Sequence, residues 1–472
     1  MGWEVKSYTF LLVCHHWFEV ASRTPELWSF WGTTLEEWKQ YSRLSRAAPL
    51  DLALDGYISG GPLDIVLYGA IHDHATRNAI RRVHLRARDL KLLTSIVSSL
   101  MIDGEGFQTN SVESFVLLNY TDTPMDVSDF FDRYRFPNLR HLELISCITT
   151  GFDHLTSRTG ALTTLALESA PSIPAPTLTT SELLSILVSN PSLRKVSLCV
   201  GAGPSYGDDG IHFQVPLHSL KELKLSGEVR DVVGILRRLD HPNKLDLFLH
   251  LYGCAVRDIS RVIGPYLRDY VGHRGTPQHG LGLRVFDGGN EIGHKIGDVE
   301  NLDPSTPAWD QMTWFAIIWI LLNETPPKVL LEREILSLFL HSPQEKITYF
   351  QALGEPIALE AMSTRFQNIR ALGFSGTSLP AISNIGGDRE IFPALRHLFL
   401  DQVWVDNYDW SSLATSLARR ASSGNQLDTL QISHSSHMCM EMAENIRSVV
   451  RHFQTEDPGT RSACPLGTCS RL

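Results

Sequence analysis

Residues 136–147 read FPNLRHLELISC, and the spacing that decides the fold is Leu139, Leu142, Leu144. An apolar residue is followed three and five positions later by two more. The final interval of two is the strand period, so the last two side chains share one face of an extended segment while Glu143 between them takes the other. The phrase returns as ALTTLALES from Ala161, NPSLRKVSLCV from Asn190, LHSLKELKLSG from Leu217, FQNIRALGFSG from Phe366 and FPALRHLFLDQ from Phe392. Weaker copies are AIRRVHLRA from Ala79, SVESFVLLN from Ser111, NKLDLFLHL from Asn243 and NQLDTLQIS from Asn425.

The intervals between copies carry a helical pattern. In SELLSILVSN, from Ser181, residues Leu183, Leu184, Leu187 and Val188 make an apolar stripe that Ser181 can cap. The runs DVVGILRRLD from Asp231 and DWSSLATSLARR from Asp409 repeat the design. Each unit therefore reads as a strand followed by a helix. Strand ends at Leu144, Leu167, Leu198 and Leu225 lie about 23 to 31 residues apart, close to the leucine-rich-repeat range of roughly 20 to 29. The copies resemble leucine-rich repeats without the terminal Asn/Cys ladder of the strict consensus. That resemblance implies an α/β fold, a leucine-rich-repeat-like solenoid of parallel strands and helices whose units stack because none can bury its own apolar face. The competing reading of the same leucine pairs is an ordinary α/β domain with a mixed sheet, which has no reason to repeat its wording. Residues 271–346 break the rhythm. The Gly/His-rich stretch VGHRGTPQHGLGLRVFDGGNEIGHKIGD and the run ENLDPSTPAWD read as an irregular repeat plus a long loop, and MTWFAIIWILLNE and LEREILSLFL read as helices.

The chain has 472 residues, 43% hydrophobic and 20% charged, with a net charge of -10. Its Lys and Arg are scattered, which argues against nucleic acid as the main partner. Seven cysteines at irregular spacing do not form a disulfide framework, and Cys14, Cys147, Cys199 and Cys254 sit in or beside apolar runs suited to buried thiols. Met1 to Phe10 is too polar for a signal peptide. The longest apolar run, WFAIIWILL from Trp314, has about half the roughly 20 residues a bilayer span needs. These features predict an intracellular protein, cytoplasmic and/or nuclear, that engages no membrane.

Residues 13–31, VCHHWFEVASRTPELWSFW, place Trp17, Trp28 and Trp31 in one window, more apolar area than a lone amphipathic helix hides. Leu12 or Val13, then Trp17, Val20 and Ala21 fall on one helical face, and Thr24 and Pro25 suit the cap and first position of a second short helix bearing Leu27 and Trp28. The string resembles the second half of the F-box, Val-Cys-x-x-Trp-x-x-Ile/Val-Ala followed by Thr-Pro-x-Leu-Trp. The positions here are Val13, Cys14, Trp17, Val20, Ala21, Thr24, Pro25, Leu27 and Trp28. The segment LSRAAPLDL from Leu44 resembles the link to the first repeat strand in F-box proteins of mushroom-forming fungi, with a shorter internal gap. Nothing before Leu11 carries the Leu-Pro-x-Glu-Ile/Leu helix or Asp-Leu corner that opens a full box, so the expectation is a partial F-box: either a truncated N-terminus or adaptor binding that is weak or lost.

The resemblance implies a substrate-recognition subunit of a Skp/cullin/F-box ubiquitin ligase. A Skp-type adaptor, and through it a cullin, would dock on Leu11, Leu12, Val13, Trp17, Val20, Pro25, Leu27 and Trp28, and an unknown target protein would dock on the repeats. The alternative for the tryptophans is that they cover the open end of the solenoid, leaving a protein-interaction scaffold without adaptor binding. The expected organisation is a partial F-box and link over 1–48, the irregular solenoid over 49–454, and a disordered tail over 455–472.

No phosphate loop, His-Glu-x-x-His or Gly-x-Ser-x-Gly occurs, and YGDDG and FDGGN do not follow a strand and open a helix as a dinucleotide fingerprint does. His434, His437 and Cys439, with Cys464 and Cys469, match no tetrahedral metal spacing, and a solvated loop accounts better for these histidines and for His273, His279 and His294. The sequence thus points to a non-catalytic protein with no cofactor or metal.

Overall fold

The repeated phrase folds into one seam, copied from repeat to repeat. Its first apolar residue closes a tight turn, with the amide of Leu139 donating to the carbonyl of Phe136, Leu193 to Asn190, Leu220 to Leu217, Ile369 to Phe366 and Leu395 to Phe392. The next residue then offers its carbonyl to two amides of the following repeat. Arg140 accepts from Thr163 and Thr164, Thr163 from Arg194 and Lys195, and Arg194 from Lys221 and Glu222, while Arg370 accepts from Arg396 and His397. These bonds lock the register of each strand against its neighbour.

The computed structural model describes residues 19–20, 22–25, 43–45, 48–55, 80–87, 111–133, 136–148, 162–168, 180–200, 214–240, 245–255, 259–266, 270, 281–287, 291–299, 312–322, 347–353, 362–364, 366–375, 385, 391–403, 407–434, 438 and 440–455. The chain divides into two compact units, 1–225 with 238–242, and 226–237 with 243–472.

In the first unit, parallel strands β1 (Leu50–Asp55), β2 (Ile80–Ala87), β3 (Ser114–Asn119), β5 (His141–Ile145), β7 (Thr164–Glu168) and β8 (Lys195–Val200) lie side by side, and β10 (Glu222–Glu228) begins beside β8. Two minor parallel ladders accompany them: β4 (Met125–Asp126) with β6 (Cys147–Ile148), and β9 (Val215–Pro216) with β11 (Leu239–Asp240). The paired leucines of the phrase form two buried rows. Val83, Phe115, Leu142, Leu165 and Val196 are in register, as are Leu85, Leu117, Leu144, Leu167 and Leu198. Each fully buried aliphatic side chain contributes about 1.5–3 kcal/mol, and no single strand could shelter these rows alone.

Helix α1 (Ser128–Arg133) adds Phe130 and Phe131 to Phe115 and Phe136, with ring centroids 5.2 to 5.9 Å apart. Helix α2 (Thr180–Ser189) buries Leu183, Leu184, Ile186 and Leu187. Two expectations are corrected there. Ser181 lies within the helix rather than at its cap, and Val188 is exposed while Ile186 is buried, because at 3.6 residues per turn position 186 falls nearer the stripe of Leu183 and Leu187.

In the second unit, α3 (Val229–Leu236) buries Val229, Val232, Val233, Ile235 and Leu236 beside β12 (Asp246–Cys254). Strands β16 (Ile347–Leu353), β17 (Ala371–Ser375), β18 (His397–Asp401), β19 (Thr429–Ser433) and β20 (His452–Thr455) are parallel and sequential. Their core rows include Phe350, Leu372, Leu398 and Leu430, and Phe374, Leu400 and Ile432, all buried. Helices α4 (Asn407–Ser422) and α5 (Met440–Val449) pack on each other. All ten copies of the phrase fall on strands of the two units, giving a parallel α/β repeat architecture of the leucine-rich-repeat kind.

Residues 281–322 depart from the expected all-parallel rule. Strands β13 (Leu281–Asp287) and β14 (Glu291–Val299) are antiparallel, and β15 (Met312–Leu322) pairs antiparallel with β14 and parallel with β12. Within the Gly/His-rich stretch, read as part of an irregular repeat plus a long loop, residues 281–287 and 291–299 are therefore a strand pair, and His294, expected on a loop, sits in β14 opposite Val285 and Ile318. Of MTWFAIIWILLNE, read as a helix, residues Met312–Leu322 form a strand. A continuous apolar run fits a buried strand as well as a buried helix, and its three Ile, two Trp and one Phe favour the pleated backbone.

The chain leaves several strands through a left-handed residue one position past the strand end: Ser146 (φ 53°), Gln402 (φ 48°) and His434 (φ 50°). Such a backbone costs a non-glycine residue roughly 1–2 kcal/mol. At the first two it is offset by a cross-repeat bond, Ser146 amide to the Glu168 carbonyl at 2.8 Å and Gln402 amide to the Ser433 carbonyl at 3.0 Å. Next to Ser146, Cys147 occupies the Asn/Cys position expected to be missing. It is buried, and desolvation pushes its thiol up to about 12.

Candidate functional site

The residues alternating with the buried rows of the first unit form a second face. Arg82, Ser114, His141, Thr164 and Lys195 are in register across β2 to β8, and so are His84, Val116, Glu143, Ala166 and Ser197. Most of these side chains are half-buried or exposed, and Val116 is buried among them. Parallel strands about 4.8 Å apart thus present charged, polar and small apolar groups as a grid.

The charges on this grid are arranged in pairs. Arg82 Nη1 lies 3.6 Å from Asp51 Oδ2, Lys195 Nζ 2.9 Å from Glu222 Oε2, and Lys224 Nζ 2.9 Å from Glu168 Oε1, which also accepts from Ser197 Oγ at 2.5 Å. His141 Nε2 is 3.5 Å from Glu143 Oε2. The hydrogen bond from His141 holds the Glu143 carboxyl below its usual range, against the opposing effect of burial, and His84 and Lys224 add to the lowering. At Asp51 the balance reverses, since desolvation raises its carboxyl despite Arg82 and Arg81. Exposed pairs of this kind are worth about 0–1 kcal/mol each. Their consequence is a patterned surface rather than stability.

In the second unit the equivalent face of β16 to β19 is closed. Tyr349, Gln351, Phe399, Thr429 and Gln431 are between 0% and 6% exposed. Gln351 Oε1, Thr429 Oγ1 and Gln431 Oε1 are buried without a hydrogen-bond partner. On the same face desolvation pulls the His397 imidazole below its ordinary value. A wall of exposed and half-buried strand residues is therefore present on β2 to β8 and not on β16 to β19.

Of the residues assigned to adaptor binding, Leu11, Leu12, Val13, Trp17, Leu27 and Trp28 lie outside the described residues. Val20 lies within a helical turn and is 41% exposed, and Pro25 is half-buried. Pro25 lies in a 3₁₀ turn directly after Thr24, and residues 26–31, where the second short helix is expected, lie outside the described residues. The Thr24 hydroxyl donates to the Val20 carbonyl at 2.9 Å, closing the preceding turn, where the Arg23 amide donates to Glu19 and Val20.

Among the described residues no group of three or more His, Cys, Asp or Glu is placed to hold a metal ion. His434 Nδ1 is 3.2 Å from Asp401 Oδ1, and His273, His279, His437, Cys439, Cys464 and Cys469 lie outside the described residues. The FDGGN segment follows strand β13 but leads into strand β14, not into a helix. No described helix is long and apolar enough to cross a membrane.

No family model matches the chain. No curated protein matches it either. Among solved structures it is similar to a leucine-rich-repeat protein of Leptospira interrogans, at 12% identity and a TM-score of 0.30, over 86% of this chain and 94% of that one.

Proposed function

We propose that this chain is a non-catalytic protein-interaction subunit that presents a target protein to a ubiquitin ligase, with the repeats as the recognition surface and residues 11–28 as the docking segment for a Skp-type adaptor and its cullin. The observation that carries the reading is the open grid of the first unit, where stacked parallel strands expose ordered rows of mixed chemistry at a fixed spacing. Stacked-repeat surfaces of this kind suit extended protein contacts. The ligase half rests on the F-box-like string VCHHWFEVASRTPELWSFW. An intracellular location, cytoplasmic and/or nuclear, goes with this role.

The second reading is a scaffold with no adaptor, favoured by the grid of the first unit, which is presented whether or not residues 11–28 hold an adaptor. Co-purification with a recombinant Skp adaptor separates the two. The ligase reading expects stoichiometric capture by the unmutated chain and at least a ten-fold loss in a Leu12→Ala/Trp17→Ala variant. Absence of capture by the unmutated chain leaves the scaffold.

A further inference from the structure

The seam that sets the register also aligns a column of side chains just ahead of the strands. Glu113, Arg140, Thr163, Arg194 and Lys221 occupy the same position in successive repeats, each carbonyl from Glu113 to Arg194 accepting the amides of the next repeat. Arg140, Arg194 and Lys221 are exposed. The acids nearest in register are already engaged, Glu113 by Arg81 at 2.8 Å and Glu222 by Lys195 at 2.9 Å. Among the described residues these three cations have no carboxylate partner, while Arg82, Lys195 and Lys224 on the grid beside them are each paired with one. In a chain whose net charge is -10, an aligned and unneutralised basic column is a local reversal of sign.

We propose that the Arg140–Arg194–Lys221 column docks an extended acidic segment of a partner polypeptide lying across the strand starts. Arg140 and Arg194 are two strands apart, about 9.6 Å at the usual strand spacing. An extended polyproline-type chain places residues i and i+3 on one side at about 9.3 Å. Lys221, one strand further, is about 14.4 Å from Arg140, and its long flexible stem reaches an acid at i+4, about 12.4 Å along the chain and a third of a turn round. A nucleic acid is the less favoured occupant, because the adjoining rows carry Glu143, Glu168 and Glu222 and the rest of the chain is acidic.

This rests on the protein-binding reading above, and the test keeps the two separable. The probe is a fluorescein-labelled peptide of about twelve residues with Glu at positions i, i+3 and i+4, titrated with the full chain and followed by anisotropy at low and high salt. Binding is expected at low salt, weakening with added salt. It should fall about ten-fold in Arg140→Gln/Arg194→Gln/Lys221→Gln, three exposed charge pairs being worth roughly that together. The control Arg419→Gln/Arg447→Gln, two exposed cations on α4 and α5 outside the column, should change it less than two-fold. The charge-reversed variant R140E/R194E/K221E should take the Lys analogue of the peptide instead. Absence of peptide binding, or binding indifferent to the triple variant, overturns the proposal. So does a single-stranded oligonucleotide that binds more tightly and is lost with the same three substitutions. Failed peptide binding with adaptor capture intact sinks the column alone, and the converse result sinks the ligase assignment alone.

Discussion

At the scale of single residues, the second unit depends on a buried cation bound to a cluster of backbone carbonyls. Arg420 on α4 is 2% exposed, and its guanidinium donates to the carbonyls of Ile391 at 3.3 Å, Phe392 at 2.9 Å, Pro393 at 3.3 Å and Leu395 at 3.0 Å. Those carbonyls belong to the stretch IFPAL, which also contains the left-handed Phe392 (φ 56°). Arg420→Met strands several acceptors at once, so a loss of about 3 kcal/mol or more is expected in urea denaturation. Arg420→Lys should recover less than half, because a point charge cannot serve a fork of carbonyls. His397 gives the second test. Its imidazole, depressed by desolvation, is neutral in the folded chain at a pH where the unfolded chain has already bound a proton. The stabilising contribution is therefore fully present above the ordinary imidazole value near 6.5 and is lost as pH falls through the lower folded value. A His397→Gln variant should show a flatter decline of Tm between about pH 7 and pH 5 than the unmutated chain.

At the scale of elements, the Phe115–Phe130–Phe131–Phe136 cluster joins a strand, a helix and a turn of neighbouring repeats. Phe130→Ala should cost about 3–5 kcal/mol, measured by denaturant midpoint at constant slope. The cluster was invisible as such in the sequence, since two of its rings lie on a six-residue helix between copies of the phrase. What the sequence does show is strand position, because an interval of two between apolar residues has one structural meaning once it recurs. It could not show which elements fill the break. The Trp314–Leu322 run has no period to choose between helix and strand, and β16, reading ITYFQAL, lacks the phrase altogether. The candidate site was half legible for a related reason. Glu143 between Leu142 and Leu144 looks the same as Gln431 between Leu430 and Ile432, yet Gln431 is buried and Glu143 is not. Alternation assigns a side chain to a face and says nothing of what lies on that face.

At the scale of the whole molecule, stability is distributed along two stacks rather than held in one centre. In such arrays the free energy is close to a sum of repeat terms and nearest-neighbour terms. A lesion should therefore be felt locally. Hydrogen exchange in Phe130→Ala should quicken in β3 and β5 of the first unit and leave the amides of β17 to β19 in the second unit unchanged, whereas a uniform rise across both would mean a single cooperative block. The shared-carbonyl seam has a further meaning for how such a chain can change over generations. Since Glu113, Arg140, Thr163 and Arg194 offer the same pair of bonds to whatever comes next, a gene that loses or duplicates the stretch between two of them joins matching sockets. Length can thus drift by entire modules while a cut inside a module leaves mismatched ends, and the uneven spacing of the surviving copies is the kind of record that such editing leaves.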